Sequence, residues 1–266
     1  MESKKFGFPF DDIGVIRGHA VFDYFRTYNG RPFRLADYFK RFTNSAKELG
    51  LTPPITVFEL DALVMKLMKK NKMKDAAFRL ILTGGQSSNH IRFEGNQNFA
   101  VIVEDLQIPA LVKYPNGAKL ITERYQRETP VAKTSAYVHA VKLQNKIDKA
   151  GAAEVLYHDK NLVLECSTSN IFIVSNGKLL TPRDNVLQGI TRKVVIELAR
   201  KNKIPVEERD VTMHELINAD EVLITSSGKI KIAPIIQIDS KKIGNGKIGP
   251  VSGFMIQKFE ELISKN

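Results

Sequence analysis

The chain of 266 residues is 43% hydrophobic and 26% charged, which is the ordinary composition of a soluble globular protein with room for two domains. A single cysteine, Cys166, excludes an intramolecular disulfide framework and a cysteine-rich zinc site. The balance of 40 Lys+Arg against 29 Asp+Glu gives a net charge of +11, but the basic residues are spread along the sequence without a recognition motif. The charge therefore favours small anionic ligands over nucleic acid.

Residues 1–12 carry two lysines but no apolar segment of the kind found in secretory signals. No run approaches the ~20 apolar residues of a membrane span. Together with the scarcity of cysteine, this predicts a cytoplasmic protein without a membrane partner.

Residues 1–107 predict an N-terminal α/β domain. Hydrophobic periodicity and turn residues predict, in chain order, a strand, two helices and two further strands: Val21–Tyr28, Ala36–Leu49, a helix opened by the capping box of Thr56 and Glu59, Ala76–Thr83 and Asn98–Glu104. Asn29-Gly30 after the first strand is typical of a hairpin turn. The connection Gly84–Gln97 is long and polar, which indicates a functional loop.

Residues 108–117 contain two prolines and end in Asn-Gly, which predicts a linker to a C-terminal domain over residues 118–266. That domain is predicted as a curved, mostly antiparallel sheet flanked by helices. Its predicted elements are strand Ala118–Glu123, helix Ala136–Ala150, hairpins Glu154–His158/Leu162–Glu165 and Asn170–Val174/Lys178–Thr181, a helix opened by Gly189, a short helix after Thr212, strand Glu221–Thr225 and a helix from Pro250.

Two local features could seat an anion. Gln188–Thr191 joins an extended segment to a helix start, where free N–H groups, a hydroxyl and the helix dipole favour phosphate. Thr225–Gly228 offers hydroxyls and turned N–H groups at the end of an apolar strand. From local sequence alone, Gln188–Thr191 fits an ordinary helix start better than a phosphate seat, and Thr225–Gly228 fits an ordinary turn equally well. The common nucleotide, zinc-protease and hydrolase motifs are absent, and the scattered histidines predict no metal site.

Several ordered motifs resemble the signature of fold-type IV pyridoxal-phosphate enzymes, which include branched-chain aminotransferases, D-amino-acid aminotransferases and aminodeoxychorismate lyases. The resemblance runs from Val21 to the C-terminus and is carried by Phe22–Gly30, the helix containing Arg41, Glu165–Phe172, Gly177–Pro182 and Leu187–Arg192. It implies a smaller N-terminal α/β domain and a larger C-terminal domain with a mostly antiparallel sheet or pseudo-barrel. It also implies pyridoxal 5'-phosphate in the cleft between them and assembly as a homodimer.

The resemblance assigns a role to each residue that matches a cofactor contact of the family. Lys133 matches the lysine that carries the cofactor, and Glu165 matches the carboxylate facing the pyridine nitrogen. Tyr137 lies near the position of a tyrosine at the phenolic oxygen, although its offset from Lys133 differs by one. The remaining matches are Leu187 against the ring, and Arg41, Ile190, Thr191, Ser226 and Ser227 at the phosphate.

The substrate side departs from the family pattern. The predicted substrate residues are Phe22, Tyr24, Arg79, His90 and Arg92. Bulky Tyr24 stands where branched-chain enzymes have glycine, which should reshape the pocket. Arg79 matches an arginine of branched-chain enzymes, although a simple strand-edge charge is an equal reading. His90 and Arg92 have the residue types of the D-amino-acid loop in reverse order.

The expected reaction is ping-pong transamination between an amino acid, preferentially a branched-chain L-amino acid, and a 2-oxo acid. A D-amino-acid aminotransferase and an aminodeoxychorismate lyase remain alternatives; the lyase threonine has no counterpart in Phe22–Arg26. A non-catalytic or nucleic-acid-binding protein on the same fold is the alternative from another class. The presence of Lys133, Glu165 and Arg41 argues against lost catalysis.

Overall fold

A computed structural model describes residues 5–106, 114–228 and 231–266. The chain divides into two compact units. Unit 1 comprises Met1–Leu106, Val131–Tyr137 and Asn266, and unit 2 comprises Gln107–Pro130 and Val138–Lys265. Residues 108–113 of the predicted linker lie outside the described residues. The segment that carries Lys133 therefore belongs to unit 1, although it follows the first strand of unit 2 in the sequence.

Unit 1 is built on an antiparallel sheet with strand order β2-β1-β3-β4. Its elements are α1 (Ile13–Ile16), β1 (Ala20–Tyr28), β2 (Arg31–Pro32), α2 (Leu35–Glu48), α3 (Val57–Asn71), β3 (Ala77–Thr83) and β4 (Asn98–Glu104). The capping box of Thr56 and Glu59 is present at the start of α3. The predicted strands and helices of this half are confirmed to within about one residue, the usual uncertainty of element ends.

The two faces of β1 have different environments, because successive side chains of a strand point to opposite faces. On one face Phe25 is fully buried, stacks on Phe78 of β3 at 5.3 Å and packs with Tyr38 of α2. On the other face Phe22 and Tyr24 are only partly buried. The face with Phe25 packs against α2, and the face with Phe22 and Tyr24 is less buried.

Unit 2 contains a nine-stranded sheet with order β10-β9-β8-β11-β12-β5-β6-β7, in which β13 pairs with β12. Its pairs are antiparallel except for β10–β9, β12–β5 and β5–β6. The strands are β5 (Ala118–Arg124), β6 (Glu154–Asp159), β7 (Leu162–Cys166), β8 (Asn170–Ser175), β9 (Lys178–Thr181), β10 (Val206–Glu208), β11 (Glu221–Ser226), β12 (Lys231–Ile238) and β13 (Lys241–Lys242). The helices are α4 (Val138–Lys142), α5 (Gln144–Lys149), α6 (Ile190–Lys201), α7 (Met213–Ile217) and α8 (Pro250–Ile263).

The helix predicted over Ala136–Ala150 is wrong in its continuity, since the structure has α4 and α5 separated at Leu143. The late start has a clear cause. Thr134 forms an antiparallel bridge with Val21 of β1, and the backbone N–H of Ser135 donates to the carbonyl of Ala20 at 3.0 Å. These bonds hold the preceding segment extended. No proline or glycine marks the break at Leu143, so the local sequence gives no sign of it.

Candidate active site

Lys133 is fixed by its backbone to both β1 and α2. Its N–H donates to the Ser45 hydroxyl at 3.0 Å, and its carbonyl accepts from the N–H of Phe22 at 2.9 Å. The Nζ atom lies 4.4 Å from the centre of the Phe22 ring and 6.0 Å from that of Tyr137. The two rings are themselves 5.7 Å apart. The amine of Lys133 is therefore held beside an aromatic wall.

Arg41 projects from α2 and is paired with the fully buried carboxylate of Asp23 on β1. Its Nε donates to Oδ2 at 2.9 Å and its terminal nitrogen to Oδ1 at 2.5 Å, and Arg41 itself is 9% exposed. Burial alone lowers the pKa of Arg41, but the charge and hydrogen bonds of Asp23 outweigh it, so the pKa is raised. The guanidinium is a fixed cation whose orientation is set before any ligand binds.

Glu165 is held by Arg127, a residue that sequence analysis did not select. The Arg127 Nε donates to Oε1 at 2.8 Å, and the N–H of Leu187 donates to Oε2 at 3.0 Å. Both side chains of the ion pair are about nine-tenths buried, at 11% and 8% exposure. Arg127 also donates to the carbonyls of Thr129 and Pro130. Charge-assisted bonds thus orient this carboxylate, and no sequence motif marks the arginine that makes them.

Glu154 shapes the turn that follows Glu165. Its carboxylate accepts hydrogen bonds from Ser167 at 3.2 Å, from the N–H and hydroxyl of Thr168 at 2.9 Å, and from Ser169 at 2.5 Å. Burial raises the pKa of Glu154, and the hydrogen bonds offset part of that effect. The motif residues after Glu165 therefore act as a buried scaffold around one carboxylate.

Gly189 is the N-cap of α6 and has an extended backbone conformation. A Cβ atom on Gly189 would lie 2.0 Å from the side-chain oxygen of Asn170. Asn170 in turn donates to the carbonyl of Leu187 at 2.7 Å. Ile190 and Thr191 follow at 5% and 4% exposure, at the position where a helix presents free N–H groups to an anion.

The end of β11 supplies a buried hydroxyl that sequence analysis noted in its motif without assigning a role. Thr225 is 1% exposed, and within the described residues its hydroxyl has no hydrogen-bond partner. Ser226 and Ser227 follow it and are half-buried. An unpaired buried hydroxyl costs about 1–3 kcal/mol, so this arrangement fits a bound acceptor such as a phosphate oxygen.

Phe22, Tyr24 and Arg79 share one face of the unit 1 sheet, because Tyr24 lies opposite Arg79 in the β1–β3 pair and side chains alternate along a strand. The Arg79 guanidinium lies 5.9 Å from the Phe22 ring and 5.4 Å from the Tyr24 ring. However, it is already paired with Glu104 of β4, to which its Nε donates at 2.6 Å. Burial and then the charge of Glu104 raise the pKa of Tyr24.

Arg26 occupies the next position of the same alternation and was not predicted. It is 7% exposed, and its guanidinium lies 5.0 Å from the ring of Tyr28. In the part of the chain that the structure describes, its Nε has no hydrogen-bond partner. In the sequence, the two-residue spacing of Phe22, Tyr24 and Arg26 along a predicted strand was the pattern that could have placed Arg26 on the same face.

His90 and Arg92 lie on the exposed loop between β3 and β4. The side-chain oxygen of Asn89 accepts from the N–H groups of Ile91 and Arg92 at 3.2 and 2.8 Å and organises the loop. Across residues 5–106 and 131–137, no hydrogen bond or ring contact joins either predicted substrate residue to Lys133. Within these residues the structure thus shows no contact between them and the Lys133 amine.

The decisive comparison is with families of known proteins. The family model described as "Amino-transferase class IV" matches residues 20–238. The chain belongs to the class IV aminotransferase family. Members of this family are enzymes that use pyridoxal phosphate. Within unit 1 the oriented Arg41 cation suits an anion. Within unit 2 the same holds for the helix start at Gly189 and for the Thr225 hydroxyl, which has no hydrogen-bond partner in the described residues.

Individual relatives of this aminotransferase chain carry different names. A "Putative branched-chain-amino-acid aminotransferase" of Methanocaldococcus jannaschii is 32% identical, over 96% of this chain and 90% of that protein. A D-alanine aminotransferase of Listeria monocytogenes is 34% identical, over 95% and 90%. The branched-chain aminotransferase of Thermoproteus uzoniensis, solved with norvaline, is 26% identical with a TM-score of 0.90, over 100% and 92%. The predicted family and the fold-type IV architecture are confirmed.

Two further properties bear on the chemistry of this aminotransferase. No group of three or more His, Cys, Asp or Glu residues in the described ranges is arranged to hold a metal ion. Across the same ranges, every helix is too short or too polar to cross a membrane.

Proposed function

We propose that the protein is a pyridoxal-phosphate-dependent aminotransferase that moves an amino group between a branched-chain L-amino acid and a 2-oxo acid by a ping-pong mechanism. It acts in the cytoplasm as a homodimer. The observation that carries the proposal is the placement of Lys133, whose Nζ lies 4.4 Å from the Phe22 ring while its backbone is tied to β1 and α2. Family membership supplies the reaction type.

Each cofactor residue has a role that its surroundings support. When bound on Lys133, the cofactor withdraws electrons from the substrate α-carbon. Glu165, which is held by Arg127 and the N–H of Leu187, would accept a hydrogen bond from the protonated pyridine nitrogen. The residues that would hold its phosphate are Arg41, Ile190, Thr191, Ser226 and Ser227, and we add Thr225 because its hydroxyl is buried without a partner in the described residues. Leu187 would pack against the pyridine ring of the cofactor. Tyr137 would donate a hydrogen bond to the phenolic oxygen of the cofactor.

Lys133 also performs the proton transfer. Its Nζ atom would act as a general base that removes the proton from the substrate α-carbon. The same atom would then act as a general acid and donate that proton to the cofactor carbon that takes up the amino group. The rings of Phe22 and Tyr137 limit the access of water to this amine.

The substrate assignment rests on the aromatic rings of Phe22 and Tyr24 and on the names of the related proteins. Phe22 and Tyr24 present aromatic surface on one face of the unit 1 sheet, which suits a branched aliphatic side chain. The M. jannaschii and T. uzoniensis proteins carry branched-chain names, whereas the L. monocytogenes name supports D-alanine as the alternative. Because His90 and Arg92 lie on an exposed loop, we propose that they act on the substrate of a second copy.

The test is a panel of half-reactions followed by cofactor absorbance. The purified protein, reconstituted with pyridoxal phosphate, is mixed separately with L-leucine, L-isoleucine, L-valine, D-alanine and 4-amino-4-deoxychorismate. We expect conversion to the amino form of the cofactor with the branched L-amino acids. Conversion only with D-alanine would replace the substrate assignment, and pyruvate release from aminodeoxychorismate would identify a lyase. No conversion with any amine would refute the aminotransferase proposal.

A further inference from the structure

Two polar side chains interrupt the buried face of α2. The buried residues of this helix recur at helical spacing and are Tyr38, Arg41, Phe42, Ser45 and Ala46. A polar group that is removed from water costs free energy unless it is hydrogen-bonded. The partners of Arg41 and Ser45 therefore indicate why apolar residues do not occupy these two positions.

Each of the two side chains bonds to a different part of the candidate active site. Arg41 is paired with Asp23 of β1 through bonds of 2.9 and 2.5 Å. The Ser45 hydroxyl accepts the backbone N–H of Lys133 at 3.0 Å. Four residues of an α-helix rise by about 6 Å, so Arg41 and Ser45 lie one turn apart on the same face. One helix therefore supports both the cation proposed to bind phosphate and the lysine proposed to carry the cofactor.

The backbone of Lys133 is bonded on both sides of its α-carbon. Its N–H donates to Ser45, and its carbonyl accepts from the N–H of Phe22 at 2.9 Å. Thr134, the next residue, bridges to Val21 of β1. Because peptide groups are planar, fixing the one before and the one after the α-carbon determines the direction in which the side chain leaves the backbone. Without the Ser45 hydroxyl, the preceding peptide group would lose this contact to α2.

We propose that Ser45 is a positioning residue, which orients the side chain of Lys133 toward a ligand whose phosphate is held by Arg41. The inference rests on the proposed pyridoxal-phosphate function and adds to it a residue outside the predicted site. Two groups that are held in the correct geometry react as though at very high concentration, and a displacement of about 1 Å can cost about a hundredfold in rate. Ser45 thus makes phosphate binding at α2 productive for the Lys133 amine.

The experiment compares S45A and S45C with the unchanged protein and with T43V. S45A removes the acceptor, whereas S45C keeps the size of the side chain with a much weaker acceptor and serves as the second variant if S45A does not fold. Thr43 lies on the same helix, and its buried hydroxyl has no hydrogen-bond partner in the described residues, so T43V breaks no bond there. Cooperative urea unfolding checks that each variant is folded.

The first measurement compares pyridoxal phosphate with pyridoxal, which lacks the phosphate and gains nothing from Arg41. Fluorescence titration of the protein without cofactor gives both dissociation constants, and borohydride with mass spectrometry checks attachment to Lys133. We expect S45A to reduce the advantage of pyridoxal phosphate over pyridoxal by about tenfold or more, because the bound phosphate no longer brings the aldehyde to a fixed amine. S45C should show the same change to a smaller extent, and T43V should stay within about threefold of the unchanged protein.

Two further measurements separate positioning from a general loss of stability. In hydrogen exchange of the protein without cofactor, the Lys133 amide should exchange at least about tenfold faster in S45A, while the amides of α3 keep their protection. In the half-reaction of the holoenzyme at saturating amino acid, S45A should be slower by about ten- to hundredfold. The half-saturating concentration of the amino acid should change by less than about threefold, since the proposed role concerns Lys133 and not substrate binding.

A less stable S45A with an unchanged phosphate advantage and an unchanged rate would show that Ser45 is only structural, and would overturn the proposal. Equal changes in T43V would overturn it as well. An unchanged protein that binds pyridoxal as tightly as pyridoxal phosphate, or that takes no label at Lys133, would refute the proposed function instead. The two failures are distinguishable because the second appears before any residue is replaced.

Discussion

Arg127 donates to Glu165 at 2.8 Å and also donates to the carbonyl of Pro130, the last residue before the segment that carries Lys133. One guanidinium thus orients the carboxylate proposed to face the pyridine nitrogen and bonds to the residue that precedes the segment with Lys133, the lysine proposed to carry the cofactor. Breaking a buried ion pair by removing one partner costs about 3–5 kcal/mol, so the geometry of Glu165 is strongly determined. The first prediction follows from this pair.

Replacing Glu165 with Gln should leave the cofactor bound and slow the half-reaction with an amino acid by about three powers of ten. An amide cannot hold the proton of the pyridine nitrogen, and three powers of ten correspond to roughly 4 kcal/mol of transition-state stabilisation. Stopped-flow absorbance of the cofactor measures the rate. The exposed Glu207→Gln variant is the control and should react normally. Near-normal turnover of the Glu165 variant would show that this carboxylate does not face the ring.

Lys133 should be the residue that carries the cofactor. The purified protein should be yellow, and borohydride should attach the cofactor irreversibly to one peptide containing Lys133, as found by mass spectrometry. Lys133→Ala should lose the label and the activity, because no other amine can replace it at this position. Lys142→Ala, at an exposed site in α4, should behave as the unchanged protein. Label on another lysine would move the active site elsewhere.

Asp23→Asn should destabilise the protein without cofactor by about 3–5 kcal/mol, since Arg41 would remain a buried cation without its counter-ion. Phosphate supplies an anion at the same guanidinium if Arg41 binds it. Saturating cofactor should therefore restore part of the loss, as measured by urea unfolding with and without pyridoxal phosphate. Asp37→Asn, which removes a half-buried carboxylate at the start of α2 that is paired with Arg34 at 3.5 Å, should cost less than about 1 kcal/mol. Equal losses with and without cofactor would argue against phosphate at Arg41.

Gly189→Ala should weaken cofactor binding by at least about tenfold, because the added Cβ would lie 2.0 Å from the Asn170 oxygen and force the start of α6 to move. The matched control is Gly253→Ala inside α8, where no heavy atom lies within 4 Å of an added Cβ. That control should keep normal affinity and gain about 0.5–1 kcal/mol of stability. Fluorescence titration with pyridoxal phosphate measures the affinity. If both variants bind equally well, the helix start at Gly189 does not hold the phosphate.

Local patterns predicted most of the elements of unit 1 and the hairpins of unit 2, because capping boxes, Asn-Gly turns and alternation act within a few residues. The strand β12 was missed. It contains Pro234, which normally argues against a central strand. The structure accommodates it because pairing with β5 begins only at Ile235, so the missing N–H lies outside that ladder.

The candidate site was less predictable than the elements, because its contacts join distant residues. The roles of Lys133, Glu165 and Arg41 came from the family signature, since a lysine or a strand-end glutamate has no distinctive local pattern. Arg127 and Glu104 were missed for the same reason, as each acts by pairing with a residue on another segment. Pairing across strands and turns is a property of the folded chain and leaves no mark in a window of a few residues.

The backbone bond from Phe22 to Lys133 also limits how the molecule can be divided. A shortened gene product starting at Tyr114 would retain Lys133, Glu165 and the start of α6. It would lack β1 and Ser45, which bond to the segment that carries Lys133. In such a fragment the Lys133 amine would lie on a segment without its contacts to β1 and Ser45. Adding the missing N-terminal piece as a separate polypeptide should therefore be required before the amine regains its position.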